Sequence, residues 1–239
     1  MKAMILAAGL GTRLKPFTDK HPKALANVNG KTLLQRNIEY LSRFGIHDII
    51  INIHHFPDQV KSVLKENNDF GSNITISDES EGVLETGGGL KKAEWFFTNE
   101  DEPFVVMNVD VLTDMDLFAM IEQHNFIKPL ATLAVTTRYT SRYFLFDEIP
   151  NLCGWKNTNT GEQKISREAG KFFEKAFSGI HVISPQIFSL IKMKGKFSMV
   201  DLYLELAKTH AISAYDHSNT KFIDVGKPES ILKAEKLFV

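Results

Sequence analysis

A chain of 239 residues with 43% hydrophobic and 24% charged residues has material for a large core and the balance of a globular protein, which excludes disorder. A formal net charge of -1 argues against nucleic acid as a partner, and one cysteine, Cys153, rules out an internal disulfide and suits a reducing compartment. The apolar run at the start is too short for a signal peptide or a membrane span and is closed by Arg13 in place of a cleavage site, so a cytoplasmic protein with no membrane partner is expected.

Met4-Ile5-Leu6-Ala7 reads as a buried strand that ends in two glycines one residue apart, Gly9 and Gly11, which let the backbone turn and approach a ligand. The next segment of chain is cationic: Arg13, Lys15, Lys20 and Lys23 face only Asp19. A glycine loop with this local charge behind a strand is a polyphosphate cradle in outline. Two other phosphate loops fail on spacing. A dinucleotide turn needs a third glycine where Leu14 stands, which removes a dinucleotide-dependent oxidoreductase; a P-loop needs one where Leu25 stands, so Gly30-Lys31-Thr32 reads as the turn into a helix.

That helix runs from Thr32 to Phe44 on Leu33, Leu34, Ile38 and Leu41, with Gly45 as its stop. Asp48 to Ile53 reads as a continuous β-branched strand buried on both faces, Pro57 opens a helix striped by Val60, Val63 and Leu64, and Asn73 to Ser77 makes a third strand. Such alternation calls for a parallel sheet with ligands at the carboxyl ends of its strands. His54 and His55 point to opposite faces and read as packing or loop residues, not as ligands of one ion.

Gly87, Gly88 and Gly89 come directly after Leu84-Glu85-Thr86, and three glycines in a row persist best where a flat ligand lies against the backbone; Thr86 as a helix N-cap is a compatible reading. Pro103 to Met107 is a buried strand that delivers Asn108-Val109-Asp110-Val111. A carboxylate there, near a phosphate loop, is where Mg²⁺ is expected. Asp114 and Asp116 read as cap and first-turn residues of the helix carrying Leu117, Met120 and Ile121. The sheet resumes at Leu130 to Thr136. Arg138 to Phe173, with turn signals at Pro150-Asn151 and Asn159-Thr160-Gly161, reads as an antiparallel excursion forming a lid or wall, with Arg138, Arg142, Tyr143 and Glu174 as candidate ligand contacts. Helices over Pro185 to Ile191 and Ser198 to His210, strands over Ile212 to Tyr215 and Lys221 to Ile223, and an amphipathic helix complete the chain.

Leu6-Ala7-Ala8-Gly9-x-Gly11-Thr12-Arg13-Leu14-x-Pro16, with Pro22-Lys23-x-Leu25 after it, resembles the first two motifs of the sugar-nucleotide pyrophosphorylases, nucleotidyltransferases that join a sugar 1-phosphate to a nucleoside triphosphate. Phe177-Ser178-Gly179-Ile180 matches the family's Phe-x-Gly-Ile element, and Asp224-Val225-Gly226-Lys227-Pro228 resembles its closing Asp-Val-Gly-Thr-Pro. The wording Glu85-Thr86-Gly87-Gly88-Gly89 most resembles the N-acetylmuramate 1-phosphate uridylyltransferases of cell-wall recycling. The chain departs from the family pattern at three places. Val109 replaces the usual glycine and excludes a positive φ there, Lys227 replaces threonine and reads as a solvated residue at a helix start, and Lys175 lies too close to Phe177 to inherit a sugar-binding role.

The resemblance implies a Rossmann-like α/β fold of the GT-A nucleotidyltransferase type, a mixed, mainly parallel sheet flanked by helices with a small antiparallel wall on the sugar side. It implies one domain, 1–239, with a nucleotide-binding part (1–137), sugar-side strands (138–184) and C-terminal helices with a second metal motif (185–239). Arg13 and Lys23 would be catalytic. Nucleotide contacts would come from Leu6, Ala7, Ala8, Gly9, Gly11, Thr12, Arg13 and Lys23 on one side, and from Thr86, Gly87, Gly88, Asn108 and Asp110 on the other. Sugar contacts would come from Glu85, Gly89, Arg142, Glu174, Ser178 and Gly179, and Mg²⁺ would bind Asp110 and Asp224. The implied reaction is attack of a sugar 1-phosphate oxygen on the α-phosphorus with release of pyrophosphate. Ala7-Ala8-Gly9 is common among uridylyl and thymidylyl enzymes, so UTP with N-acetylmuramate 1-phosphate is expected. GTP with mannose 1-phosphate or a heptose 1-phosphate is the alternative. A non-catalytic nucleotide-sugar binding regulator is a reading of another class, and the joint presence of Arg13, Lys23, Asp110 and Asp224 speaks against it. Oligomeric state is left open, a homo-oligomer included.

Overall fold

The computed structural model describes residues 1–97 and 102–238. The apolar start forms β1 (Lys2–Leu6). Short turns lead to a hairpin, β2 (Asn27–Val28) and β3 (Lys31–Thr32), closed by Asn29 and Gly30 at φ 49° and 78°, the pair that a tight turn favours. Thr32 then caps α1 (Leu33–Arg43), its hydroxyl accepting from the Gln35 amide at 3.1 Å, and Gly45 ends it at φ 74°. Gly30-Lys31-Thr32 is therefore the turn into a helix that its spacing predicts.

Alternation continues through β4 (Asp48–Ile53), α2 (Pro57–Glu66), β5 (Asn73–Asp78), α3 (Glu85–Lys92), α4 (Glu94–Phe97), β6 (Phe104–Asn108), β7 (Val111–Thr113), α5 (Leu117–Ile127) and β8 (Ala131–Thr136). Asp116 caps α5, accepting from the Phe118 and Ala119 amides. Asp114 departs from the expectation: it accepts from the Lys221 amide at 2.7 Å, tying β7 to the later chain in place of the helix. The excursion forms β9 (Arg142–Phe146), β10 (Leu152–Asn157) and β11 (Gln163–Ile165). Then come β12 (Phe173–Ile183), α6 (Ile187–Leu190), α7 (Met199–Leu206), β13 (Ile212–Asp216), β14 (Phe222–Asp224) and α8 (Pro228–Leu237). α6 and α7 are shorter than the sequence suggests. Ile191 is already extended, and the chain after it, with Gly195 at φ 69°, is drawn into a loop against α3.

β5, β4, β1 and β6 lie side by side and parallel, with Met4 beside both Ile50 and Val106. Strand β12 adds to β6 in antiparallel sense and is flanked in turn by β8, to which β13 pairs in parallel. β12 is eleven residues long, and its two halves serve different partners. Residues from Ile180 onward lie on β6, whereas Phe173 to Lys175 pair with β9 and so carry β10 and β11. Between Phe177 and His181 its register against β8 shifts, and Gly179 at φ 74° takes the bulge.

Alternate residues of each strand feed opposite faces of this sheet. Met4 and Val106 join Phe97, Phe104, Phe188 and Tyr203 in one core, while Ala3, Ile5, Val105 and Met107 join Ile38 and Leu41 in the other. Phe97, Phe104 and Phe188 form a cluster of near-parallel rings, with centroids 4.1, 5.5 and 6.0 Å apart. Covering both faces is why these strands read as nearly unbroken apolar runs.

Candidate active site

Asp110 lies in the turn between β6 and β7, and β14 runs antiparallel to β7 with Asp224 opposite Val111. The Val225 amide donates to the Asp110 carbonyl at 2.8 Å. One short ladder thus brings together two carboxylates from distant parts of the sequence. Lys23, in a single helical turn after Pro22, forms an ion pair with Asp110, both side chains being largely buried. The Arg13 guanidinium passes over Gly226, where a Cβ would come within 2.6 Å of Asp224 Oδ1 and 2.9 Å of Arg13 Nη2. A side chain at Gly226 would push that cation and that carboxylate from their present positions.

Desolvation by the surrounding fold, and then the neighbouring Asp110, raise the Asp224 carboxyl above its ordinary pKa against the pull of Lys23, Arg13 and Arg138. Two carboxylates placed in this way favour a further cation between them. Val109 has no positive φ; its amide donates to the Leu6 carbonyl at 3.1 Å and its carbonyl accepts from Asn37 Nδ2 at 2.7 Å.

A cleft of about 380 Å³ opens at the carboxyl ends of β1, β4 and β6, where ligands sit in folds of this kind. Its walls are Leu6, Ala8, Gly9, Lys23, Asn52, Val83, Glu85, Thr86, Asn108, Val109, Asp110 and Ser198. A larger depression, about 750 Å³ between α1, β7 and the end of α8, contains none of the convergent charges. No atom lies within 4 Å of where a Gly9 side chain would be, so this glycine faces open space. Gly11 differs: it sits at φ 63°, and a Cβ would meet Thr18 Cγ2 at 2.8 Å and Lys23 Cβ at 3.0 Å. It is needed to bring Lys23 in.

The glycine run has a packing cause that the sequence does not show. Gly87, Gly88 and Gly89 are buried inside α3, away from the cleft wall. A Cβ would lie 2.5 Å from the Phe197 ring at Gly87, 2.3 Å from the Gly195 carbonyl at Gly88, and 2.7 Å from Glu79 Oε1 at Gly89. The Gly87 and Gly88 amides both donate to the Phe197 carbonyl, at 2.9 and 3.1 Å. Protein lies against this backbone on the side where a Cβ would project. Thr86 is not the N-cap either; it sits in the first turn, its hydroxyl accepting from the Met199 amide at 2.9 Å, while Leu84 holds the cap position. Glu85 does line the cleft, at φ 61°, with Lys196 Nζ 3.6 Å from its carboxylate.

On the sugar side, Arg142 and Glu174 are exposed and off the cleft wall, and Glu174 is paired with Lys156. Ser178 is buried, with its hydroxyl 2.7 Å from His217 Nε2. Gly179 packs on Asn108, whose Nδ2 would be 2.7 Å from a Cβ. Tyr143 accepts from the Thr140 amide. Arg138 is no solvated side chain: it donates to the Phe177 carbonyl at 2.7 Å and Thr136 Oγ1 at 2.9 Å and lies 4.5 Å over the Phe222 ring. Burial lowers its pKa, and Asp224 partly offsets that. His54 and His55 bond to the Glu79 and Thr18 carbonyls, and no group of three His, Cys, Asp or Glu among the described residues is arranged for a metal. Lys227 is exposed at the start of α8.

Sequence reasoning missed Asn52, Val83 and Ser198 on the cleft wall and Asn37 behind Val109. A signal for Asn52 was available. The run Asp48 to Ile53 is not continuously β-branched, since Asn52 interrupts four isoleucines while remaining 2% exposed. A polar residue buried in such a run must have a partner.

Residues 2–144 match the family model described as nucleotidyl transferase. The whole chain aligns at 30% identity with a mannose-1-phosphate guanyltransferase of Yarrowia lipolytica, and it spans 64% of that relative's length. It is 28% identical to an N-acetylmuramate alpha-1-phosphate uridylyltransferase of Neisseria meningitidis serogroup B, covering 99% of this chain and 98% of that one. The crystal structure of HddC from Yersinia pseudotuberculosis superposes with a TM-score of 0.79 at 27% identity, over 100% of this chain and 99% of its own. On the extent of the matched sequence, the shared fold and the convergence of Arg13, Lys23, Asp110 and Asp224, the chain belongs to the nucleotidyl transferase family.

Proposed function

We propose that the chain is a sugar-1-phosphate nucleotidyltransferase, joining a sugar 1-phosphate to a nucleoside triphosphate with release of pyrophosphate. The observation that carries this reading is the pairing of Lys23 with Asp110 on the cleft wall, with Asp224 and Arg13 beside them. A phosphate monoester has a second pKa of about 6 and is largely dianionic at neutral pH, so the nucleophile needs no general base. The reaction instead requires alignment of two polyanions and neutralisation of their charge. The open backbone at Gly9, with Arg13 beyond it, suits the β- and γ-phosphates of the leaving pyrophosphate. Lys23, on the cleft wall, suits the α-phosphoryl group. A regulator that only binds nucleotide sugars would not need this full charge set.

The donor set fits Mg²⁺. This ion prefers one or two protein carboxylates together with substrate phosphates and waters, and two facing carboxylates, one with a raised pKa, offer that incomplete shell. Asp110 and Asp224 would hold it, and when bound it neutralises and orients phosphate oxygens.

For the substrates, UTP with N-acetylmuramate 1-phosphate is favoured by the Neisseria relative, whose length this chain matches almost completely. GTP with mannose 1-phosphate is the second reading, favoured by the 30% identity to the Yarrowia relative. Pyrophosphate release with Mg²⁺ by Lys23→Ala and Asp110→Asn tests the activity. A fall of at least ~100-fold in both, with the fold intact, is expected, and near-native turnover in both refutes the assignment. A thermal-shift panel of UTP, GTP, CTP and dTTP, and then assays with both acceptors, decides the substrates.

A further inference from the structure

Two donors of fixed polarity face each other across the base of the cleft, and two side chains span the space between them. The Ala7 amide, at the entry to the phosphate loop, donates to Asn52 Oδ1 at 2.7 Å. Asn52 Nδ2 donates to Glu79 Oε1 at 2.8 Å. The Leu84 amide, just before Glu85 and Thr86 on the opposite wall, donates to Glu79 Oε2 at 3.2 Å. Asn52 is 2% and Glu79 1% exposed, so neither can turn to water for a substitute partner. The main chain of Glu79 is itself fixed, its amide donating to the Ile53 carbonyl at 2.8 Å and its carbonyl accepting from the Gly82 amide at 2.9 Å. Gly89 leaves the space that the pair occupies, since a Cβ there would lie 2.8 Å from Asn52 Nδ2 and 2.7 Å from Glu79 Oε1.

We propose that Asn52 and Glu79 are positioning residues for the triphosphate, a directional hydrogen-bond relay that sets the phosphate loop and the Leu84 to Thr86 wall at a fixed separation. The triphosphate part rests on the nucleotidyltransferase reading of the cleft. Because both ends are N–H donors, the two side chains between them must be one amide and one carboxylate. Two amides leave a donor facing a donor wherever they are flipped. Two ionised carboxylates leave acceptor against acceptor and two like charges in a buried space, relieved only by uptake of a proton. The reverse order is equally complete: an aspartate at position 52 accepts from Ala7 and from a glutamine at position 79, whose oxygen accepts from Leu84.

That symmetry supplies the test, with Glu79→Gln, Asn52→Asp and the double substitution N52D/E79Q in the full chain. Each single variant is expected to weaken MgUTP or MgGTP binding at least about fivefold and to speed hydrogen exchange of both the Ala7 and Leu84 amides. The KM for the sugar phosphate at saturating nucleotide should change by less than about twofold, a split that general destabilisation would not produce. The double variant is expected to return nucleotide binding and both exchange rates to within about twofold of native. If a single variant does not fold, recovery in the double variant carries the decision. Native binding and exchange in Glu79→Gln overturn the proposal, as does a double variant no better than the singles. Should the native chain bind neither nucleotide, the nucleotidyltransferase reading fails and the triphosphate role falls with it, while exchange at Ala7 and Leu84 alone decides the relay.

Discussion

Replacing Gly88 by alanine places a methyl group 2.3 Å from the Gly195 carbonyl oxygen and 3.0 Å from Leu84 Cβ. The nearest obstacle is main chain, which cannot rotate aside as a side chain can. Overpacking of this kind costs ~1–3 kcal/mol, and an immovable neighbour puts Gly88 near the top of that range. Alanine in a helix interior gives back about 1 kcal/mol in propensity, leaving a net loss of about 2 kcal/mol. For a chain of this size each kcal/mol moves the midpoint by roughly 2–4 °C, so Tm should fall by about 4–8 °C without any ligand. Gly9→Ala is the matching control. It meets no atom within 4 Å and has no positive φ, so its Tm should hold or rise slightly, while MgUTP and MgGTP binding falls at least about tenfold. Thermal unfolding of the ligand-free variants and nucleotide titration separate the two cases. A native Tm for Gly88→Ala would refute the packing account of the glycine run, and native nucleotide binding by Gly9→Ala would refute the cradle.

Burial lowers the pKa of His124 to about 4 and that of His181 to about 3, and burial with Arg138 nearby lowers His217 to about 4. Each is neutral in the folded chain and protonates on unfolding below the ordinary value of 6.5, so stability is intact above that pH and is lost as pH falls toward 4. Each histidine contributes a slope of up to ~1.4 kcal/mol per pH unit, and His124→Gln should remove one such increment in urea unfolding between pH 7 and 5; an unchanged slope contradicts this. Asn37→Ala should cost ~1–3 kcal/mol by leaving the Val109 carbonyl without its donor, and it should also slow pyrophosphate release because Asp110 is the next residue. A lowered Tm with full turnover would break that link to Asp110.

Much of the architecture is legible in local pattern. Thr32 as a cap, Gly45 as a stop, Pro57 at a helix start and the turn-rich stretch from Arg138 onward each act through their immediate neighbours, and the structure places them accordingly. Lys23 was recognisable in a cationic run behind two glycines and Asp110 by its place at the end of a buried strand near that loop, while Asp224 was recognisable only through the resemblance of its motif. The features that stayed hidden depend on partners far along the chain. Nothing around Gly87 announces Phe197, and nothing around Arg138 announces Phe222 or the Phe177 carbonyl. Ser178 sits in a motif that suggests a ligand, yet its hydroxyl is engaged by His217. Such contacts leave no periodicity, because each is a single pairing made only once the sheet has assembled.

The unbroken length of β12 limits how this molecule can move. One strand is hydrogen-bonded to β6 at one end and to β9 at the other, so the two halves of the protein share a girder whose one break in register is the bulge at Gly179. Rocking them apart would strain the ladders on either side of that bulge. Movement around the cleft therefore falls to the loops that rim it and to a bend at Gly179.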